Sequence, residues 1–225
     1  MFQGFSKDSI KFLKELKKNN NKKWFLDHRG DYESTLLDPL KNLVSDLGDF
    51  MLSIDPNFEI RPQINKTISR IHRDTRFSRD KSPYKTSLWI TFKQPNKNWK
   101  DAPAYFFEIT PDFYHFGMGF YCATPDTMKK FRNLVDAKPK EFQKLISNFK
   151  KQRKFKLEGE KYKRIFDPNK SEKIQEWYQR KNFYLVSKQE INNILFSKKL
   201  VDELASGFKA LEDFYHFFLK IKQKL

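Results

Sequence analysis

The hydrophobic period of this chain switches twice, and that switch restricts the folds open to it more than any other feature. Up to about residue 55, apolar side chains recur at helical spacing: Ile10, Phe12, Leu13 and Leu16, then Leu36, Leu40, Leu43, Val44, Leu47 and Met51. From Ile64 to Tyr121 the apolar runs shorten and become rich in β-branched and aromatic residues, as strands do. After Pro125 the helical spacing returns, and it ends in Leu200, Leu204, Phe208, Leu211, Phe214, Tyr215, Phe218 and Leu219. Helices, then strands, then helices argue against alternating βαβ units. They predict an α+β fold, a central antiparallel sheet with N-terminal and C-terminal helices packed on it.

Local signals set the expected elements within that frame. Ser6 caps a helix to about Lys18, the asparagines at 19–21 stop it, and a short helix carrying Trp24 and Phe25 follows. A third helix is predicted from Asp31 to Ser53, with a boundary or kink at Pro39. Strands are predicted over 64–71 and 86–92, then a hairpin of 104–110 with 113–121 turning at Pro111-Asp112. Gly117 and Gly119 in its second arm signal a bulge or a close backbone approach. Beyond it we expect helices over 126–135 and 139–151, a short hairpin over 155–165 around Gly159, and a helix from Ser171 to Tyr178. An extended stretch at 182–186 and one long amphipathic helix from Ser197 to Gln223 complete the chain.

With 225 residues, 24 Phe and 9 Tyr, there is ample material for one buried core, and no linker or repeat interrupts it. The expectation is a single domain over 1–225. One Cys excludes a disulfide framework and a Cys-based zinc site. No run approaches the ~20 apolar residues of a membrane span, so no membrane partner is expected. The N-terminus has no apolar h-region, which predicts a cytoplasmic protein.

The formal charge is +17, carried by 45 Lys+Arg against 28 Asp+Glu, and such a field attracts nucleic acid, nucleotides and anionic surfaces. Lysine decorating solvated faces accounts for much of it. Arginine is more informative, because its planar fork binds two oxygens at once. Four of the ten Arg, Arg70, Arg73, Arg76 and Arg79, fall within ten residues. The segment 70–86 joins two predicted strands and supplies guanidinium forks, Lys81 and Lys85, Ser and Thr hydroxyls and the Tyr84 ring, which are the parts of a phosphate or carboxylate site. Asp74 and Asp80 are candidates to orient the arginines, to act as acid or base, or to join a metal site. Alternatively they pair with neighbouring arginines and only pin a long connection.

This segment also carries a resemblance. Arg70-Ile71, Arg73-Asp74, Arg76-Phe77-Ser78, Asp80-Lys81 and Pro83-Tyr84-Lys85-Thr86 together resemble the signature of a large family, the domain of unknown function 2461. Asn20-Asn21-Lys22-Lys23-Trp24-Phe25 with Tyr32 and Pro39 is similar to the family's opening. Tyr105 to Ile109 followed by Gly117 to Tyr121 resembles its central hairpin, although the family often has more glycine at the Gly117-Met118-Gly119 step. Arg132, Gly159 to Arg164 and Lys181-Asn182-Phe183 resemble its later landmarks. The resemblance covers almost the whole chain. It implies one domain in a bacterial-type cytoplasmic setting and transfers no activity.

Other chemistry is sparser. His28, His72, His115 and His216 show no metal-ligand spacing; His72 and His115 fall on predicted strands of one sheet. Glu108 sits mid-strand among aromatic residues, on the face of Phe106 and Thr110. There it either meets solvent or faces the Arg loop, where it would assist Asp74 as base or metal ligand. The nucleotide fingerprints GxxxxGK[ST] and GxGxxG are absent, as is GxSxG, and Cys122 has no nearby His in sequence. Lys129 to Arg164 holds 14 Lys/Arg against four Asp/Glu with Phe131, Phe142, Phe149, Phe155 and Tyr162 interleaved, either a solvated basic face or a groove for single strands.

The leading expectation is an anion-binding protein that takes phosphate groups of a nucleotide or nucleic acid on Arg70, Arg73, Arg76, Lys81, Tyr84 and Lys85. No cofactor and no resident metal are expected. A phosphoester hydrolase using Asp74, Asp80 or Glu108 and a structural or partner-binding module remain as alternatives. The oligomeric state is open.

Overall fold

Residues 1–163 and 165–222 are described by a computed structural model. Arg164, one of the family landmarks, and Gln223, the expected end of the last helix, lie outside the described residues. Five strands form an antiparallel sheet in the order β1-β2-β3-β5-β4: β1 Leu88–Phe92, β2 Pro103–Ile109, β3 Phe113–Phe120, β4 Lys156–Glu158 and β5 Tyr184–Glu190. With helices before and after the strands, the architecture is α+β.

The chain divides into two compact units. The first comprises Met1–Phe92, Phe106–Phe116 and Lys188–Gly207. It opens with helix α1, Lys7–Lys18, where Ser6 and Ser9 each accept from the other's backbone N–H, a capping box that satisfies two orphan donors. Asn21 caps α2, Lys22–Asp27, through the Trp24 N–H at 3.0 Å. The helical path then runs through α3, Arg29–Tyr32, a π turn, Glu33–Leu37, and α4, Asp38–Ile54. The expected break at Pro39 takes the form of this π turn. Proline has no N–H to offer the Thr35 carbonyl, which accepts instead from the buried Ser9 hydroxyl at 2.7 Å.

Within this unit the strands bury one face. Leu88, Ile90, Phe92, Phe107, Ile109, Tyr114 and Phe116 are inside, while Trp89, Phe106, Glu108, Phe113 and His115 on the alternate positions are partly exposed. The expected strand over 64–71 is not one. Asn65 adopts φ 66°, and among the described residues the segment makes only isolated bridges, Ile64 with Ile68 and Ile68 with Ile90. A ladder needs unbroken extended backbone, and a left-handed residue next to its start denies it that.

The second unit comprises Lys93–Tyr105, Gly117–Ser187 and the chain from Phe208 onward. Thr124 caps α5, Pro125–Ala137, and α6, Pro139–Phe149, begins with proline. Instead of a hairpin around Gly159, β4 pairs antiparallel with β5, Leu157 opposite Leu185. Ser171 precedes α7, Glu172–Tyr178. The single long terminal helix is also corrected: α8, Lys199–Ala210, and α9, Glu212–Leu219, are separated at Leu211, whose φ −103°, ψ 0° leaves the helical region. Phe131, Phe142, Trp177, Phe183, Phe214 and Phe218 form the aromatic core, with Trp177 stacked on Phe214 at 5.3 Å and Phe183 against Phe218 at 4.8 Å. Most of the aromatics interleaved with the basic run therefore serve packing.

Gly117 and Gly119 are close approaches. A Cβ on Gly117 would lie 1.9 Å from the Leu185 carbonyl oxygen, and one on Gly119 2.4 Å from the Tyr184 Cβ. Gly117→Ala is therefore expected to cost ~3 kcal/mol or more by displacing backbone. Gly30→Ala, where a Cβ meets nothing within 4 Å, should leave the melting temperature level or raised. Thermal melts of the two variants check this.

Candidate functional site

Residues 70–86 form an irregular hairpin within the first unit. Its arms are tied by the Arg73 N–H to the Pro83 carbonyl at 2.9 Å and by the Lys85 N–H to the Ile71 carbonyl at 2.8 Å. Below them the Ser69 N–H donates to the Trp89 carbonyl at 2.9 Å, and the Trp89 N–H donates to the Ser69 hydroxyl at 3.1 Å. The returning arm is held from 64 residues away. Asn20 Nδ2 donates to the Tyr84 carbonyl at 2.9 Å, and its Oδ1 accepts the Tyr84 N–H at 3.0 Å. One side-chain amide thus satisfies both main-chain groups of a buried residue, whose ring stacks on Phe25 at 4.2 Å.

The four arginines fall into two pairs. Arg76 grips Asp74 with two nitrogens, Nε to Oδ1 at 2.9 Å and Nη2 to Oδ2 at 2.7 Å. Arg73 bonds Asp80 through Nη1 and the Ser78 hydroxyl through Nη2 at 3.3 Å. The side-chain bonds from Arg76 hold the Asp74 carboxyl far below the usual carboxylate range. Ser82, then Arg73, do the same for Asp80, with the Ser82 hydroxyl at 2.6 Å and its N–H at 2.9 Å. Arg70 and Arg79 are exposed, and among the described residues their side chains make no hydrogen bond or ion pair.

The remaining residues of the expected anion site have mixed roles. Lys81 Nζ caps the Thr75 carbonyl at 2.9 Å. The Tyr84 ring is buried. Lys85 Nζ donates to the Arg70 carbonyl at 2.7 Å and lies 4.2 Å from the centre of the Trp89 ring. Burial, and then the charge of Arg70, bring its ammonium down to about 8, against a smaller pull from Glu108.

Glu108 lies on the partly exposed face of β2, where its charge is felt at Lys85, while Asp74 is paired with Arg76. His115 Nε2 sits 2.6 Å from Glu108 Oε2, with each side chain about a quarter exposed, and the edges of Phe106 and Phe113 frame the imidazole at 5.4 Å. Burial raises the Glu108 carboxyl, but the His115 and Ser87 hydrogen bonds and the Lys85 charge outweigh it, so the net shift is downward. Among the described residues no group of three or more His, Cys, Asp or Glu side chains is placed to hold a metal ion. His72 bridges Tyr84, His28 stacks on Trp24 at 4.1 Å, and His216 lies 3.8 Å from Glu212.

Sequence reasoning places the loop and the Asp–Arg partners but misses Asn20, Ser87 and the pairing of His115 with Glu108. For the last, a signal exists: the two residues stand equally far from the Pro111-Asp112 turn of a hairpin. No local signal marks Asn20.

These features define an α+β protein that carries an arginine-rich hairpin beside the partly open face of its sheet. The chain belongs to the conserved hypothetical proteins of the DUF2461 family, whose family model matches residues 8–217 and so includes the hairpin. No curated protein matches the chain. No helix among the described residues is long and apolar enough to cross a membrane.

Asn20→Ala leaves two main-chain groups of Tyr84 without their partner. It should cost about 1–3 kcal/mol and lower the melting temperature, while Asn19→Ala, whose exposed amide bonds the Glu15 carbonyl, should change it little.

Proposed function

We propose that the protein is a cytoplasmic anion-binding protein that takes a phosphate-bearing ligand, nucleotide or nucleic acid, on the 70–86 hairpin. Arg70, Arg79 and Lys85 supply the contacts, and Arg73, Arg76 and Lys81 hold the hairpin in shape. The observation that carries this reading is the division of the arginines. Two are ion-paired with carboxylates within the loop, and two are exposed with no hydrogen bond or ion pair among the described residues, Arg70 acting on Asp74 only through its charge. Arg70 also lies beside Lys85 closely enough to depress its basicity. Two neighbouring cations repel, and an anion between them relieves that repulsion.

A phosphoester hydrolase is the second reading, favoured by the 2.6 Å Glu108–His115 contact beside Lys85. In that case the acid–base work belongs to this pair, because Asp74 and Asp80 are tightly held in their ionised forms.

Titration with tripolyphosphate at low salt tests the binding reading. The Arg70→Ala/Arg79→Ala double variant should bind at least about tenfold more weakly with an unchanged melting temperature, and wild-type affinity should fall steeply with added salt. Equal binding by the double variant refutes the assignment. Arg73→Ala should instead lower the melting temperature by freeing Asp80.

The proton linkage has a definite sign. An anion favours the Lys85 ammonium, so binding above pH about 8 requires proton uptake and weakens as pH rises through that value. In the free protein the depressed amine works the other way. Between pH about 8 and 10.5, wild type should gain stability relative to Lys85→Met, because the folded state has released a proton that the unfolded chain still holds.

A further inference from the structure

We propose that the ligand of this hairpin is single-stranded nucleic acid, with Phe77 stacking on an unpaired base while Arg79 and Arg70 meet phosphates. This rests on the anion-binding reading and names its ligand class.

Phe77 is 96% exposed, the most exposed large hydrophobic side chain among the described residues. A phenylalanine at that exposure contributes nothing to the core, and nearly all of its apolar surface is left in water. Its surroundings are charged. From Arg61 through Thr86 the chain has eight Lys/Arg and two Asp, and both of those carboxylates are engaged by Arg73 and Arg76. The ring is next to a fixed cation: the Arg76 guanidinium, clamped by Asp74, lies 5.8 Å from the ring centre. At the foot of the hairpin a second partly exposed aromatic, Trp89, carries the Lys85 ammonium 4.2 Å from its centre. Aromatic faces alternating with cations are the chemistry by which single strands are held, bases on rings and phosphates on Arg and Lys.

That chemistry favours the single strand over a duplex, a free phosphate or a membrane, and its spread from Phe77 to Trp89 offers a ring to more than one base, where a mononucleotide has only one. In a duplex the base faces are stacked on one another and unavailable to Phe77. A free phosphate has no surface for the ring. An anionic membrane would accept the ring and the charges, but one phenylalanine buries far less than the pair of signals that stable anchoring takes.

The test uses the full chain, a fluorescently labelled oligothymidylate, tripolyphosphate and phosphatidylserine vesicles. Phe77→Ala should weaken oligothymidylate binding about tenfold, leave tripolyphosphate affinity and melting temperature unchanged, and be rescued by Phe77→Trp. The Arg70→Ala/Arg79→Ala variant should weaken both ligands. If Phe77→Ala binds the oligonucleotide as wild type does while tripolyphosphate still depends on the arginines, stacking is overturned and anion binding stands. If wild type binds neither ligand, both readings fall. If Phe77→Ala loses vesicle binding alone, the hairpin is a membrane probe and the nucleic-acid assignment is wrong.

Discussion

The amide of Asn20 does the work of a missing strand. The arm that returns through Tyr84 has a partner on one side only, the short contacts to Ile71 and Arg73, and its other main-chain groups would otherwise be buried without hydrogen bonds. Asn20 meets both, and the Phe25 ring five residues later covers the Tyr84 ring. Helix α2 and the hairpin are thereby fixed to each other. Arg70, Arg73, Arg76 and Arg79 project from a frame whose position depends on that pairing.

With the frame fixed, electrostatics sorts the side chains. Each carboxylate of the loop is closed on by one arginine of the same loop, since the entropy lost in pairing groups already held in one hairpin is small. Asp74 and Arg76 are two residues apart, and the Arg76 fork fits both oxygens. Asp80 is reached by Arg73 across the hairpin and steadied by Ser82. Two carboxylates cannot saturate four guanidinium groups. Arg70 and Arg79 are what remains, so the surplus charge sits at defined places on the hairpin instead of being spread over a flexible loop.

What could be read in advance follows the range of the interaction. The capped α1 was legible because Ser6, Ser9 and the apolar stripe are all local. So was the close approach at Gly117 and Gly119, since glycine spaced by two in an aromatic strand leaves room on one face. The division of α8 from α9 was not legible, because Leu204, Phe208, Leu211 and Phe214 keep helical spacing across it and no glycine or proline marks Leu211. The β4–β5 pairing was hidden for a different reason: strand partners are chosen by tertiary packing, and Gly159 was the nearest local turn signal. In the site, Asp74 with Arg76 could be anticipated from spacing alone. Which arginines stay unpaired could not, because that depends on how the hairpin closes.

The foot of the hairpin has a different balance from its tip. Lys85 is drawn inward by the Trp89 ring and the Arg70 carbonyl, where burial and the Arg70 charge work against its ammonium, and Glu108 only partly offsets them. Glu108 in turn is ionised against the cost of its own burial by His115, Ser87 and Lys85. A change of charge at Lys85 is therefore felt at Glu108. At the tip, Phe77 and Arg79 touch no such network. An anion that reaches Lys85 alters the proton balance of the sheet face, whereas one held only at the tip does not, so proton uptake on binding reports how far along the hairpin the ligand extends.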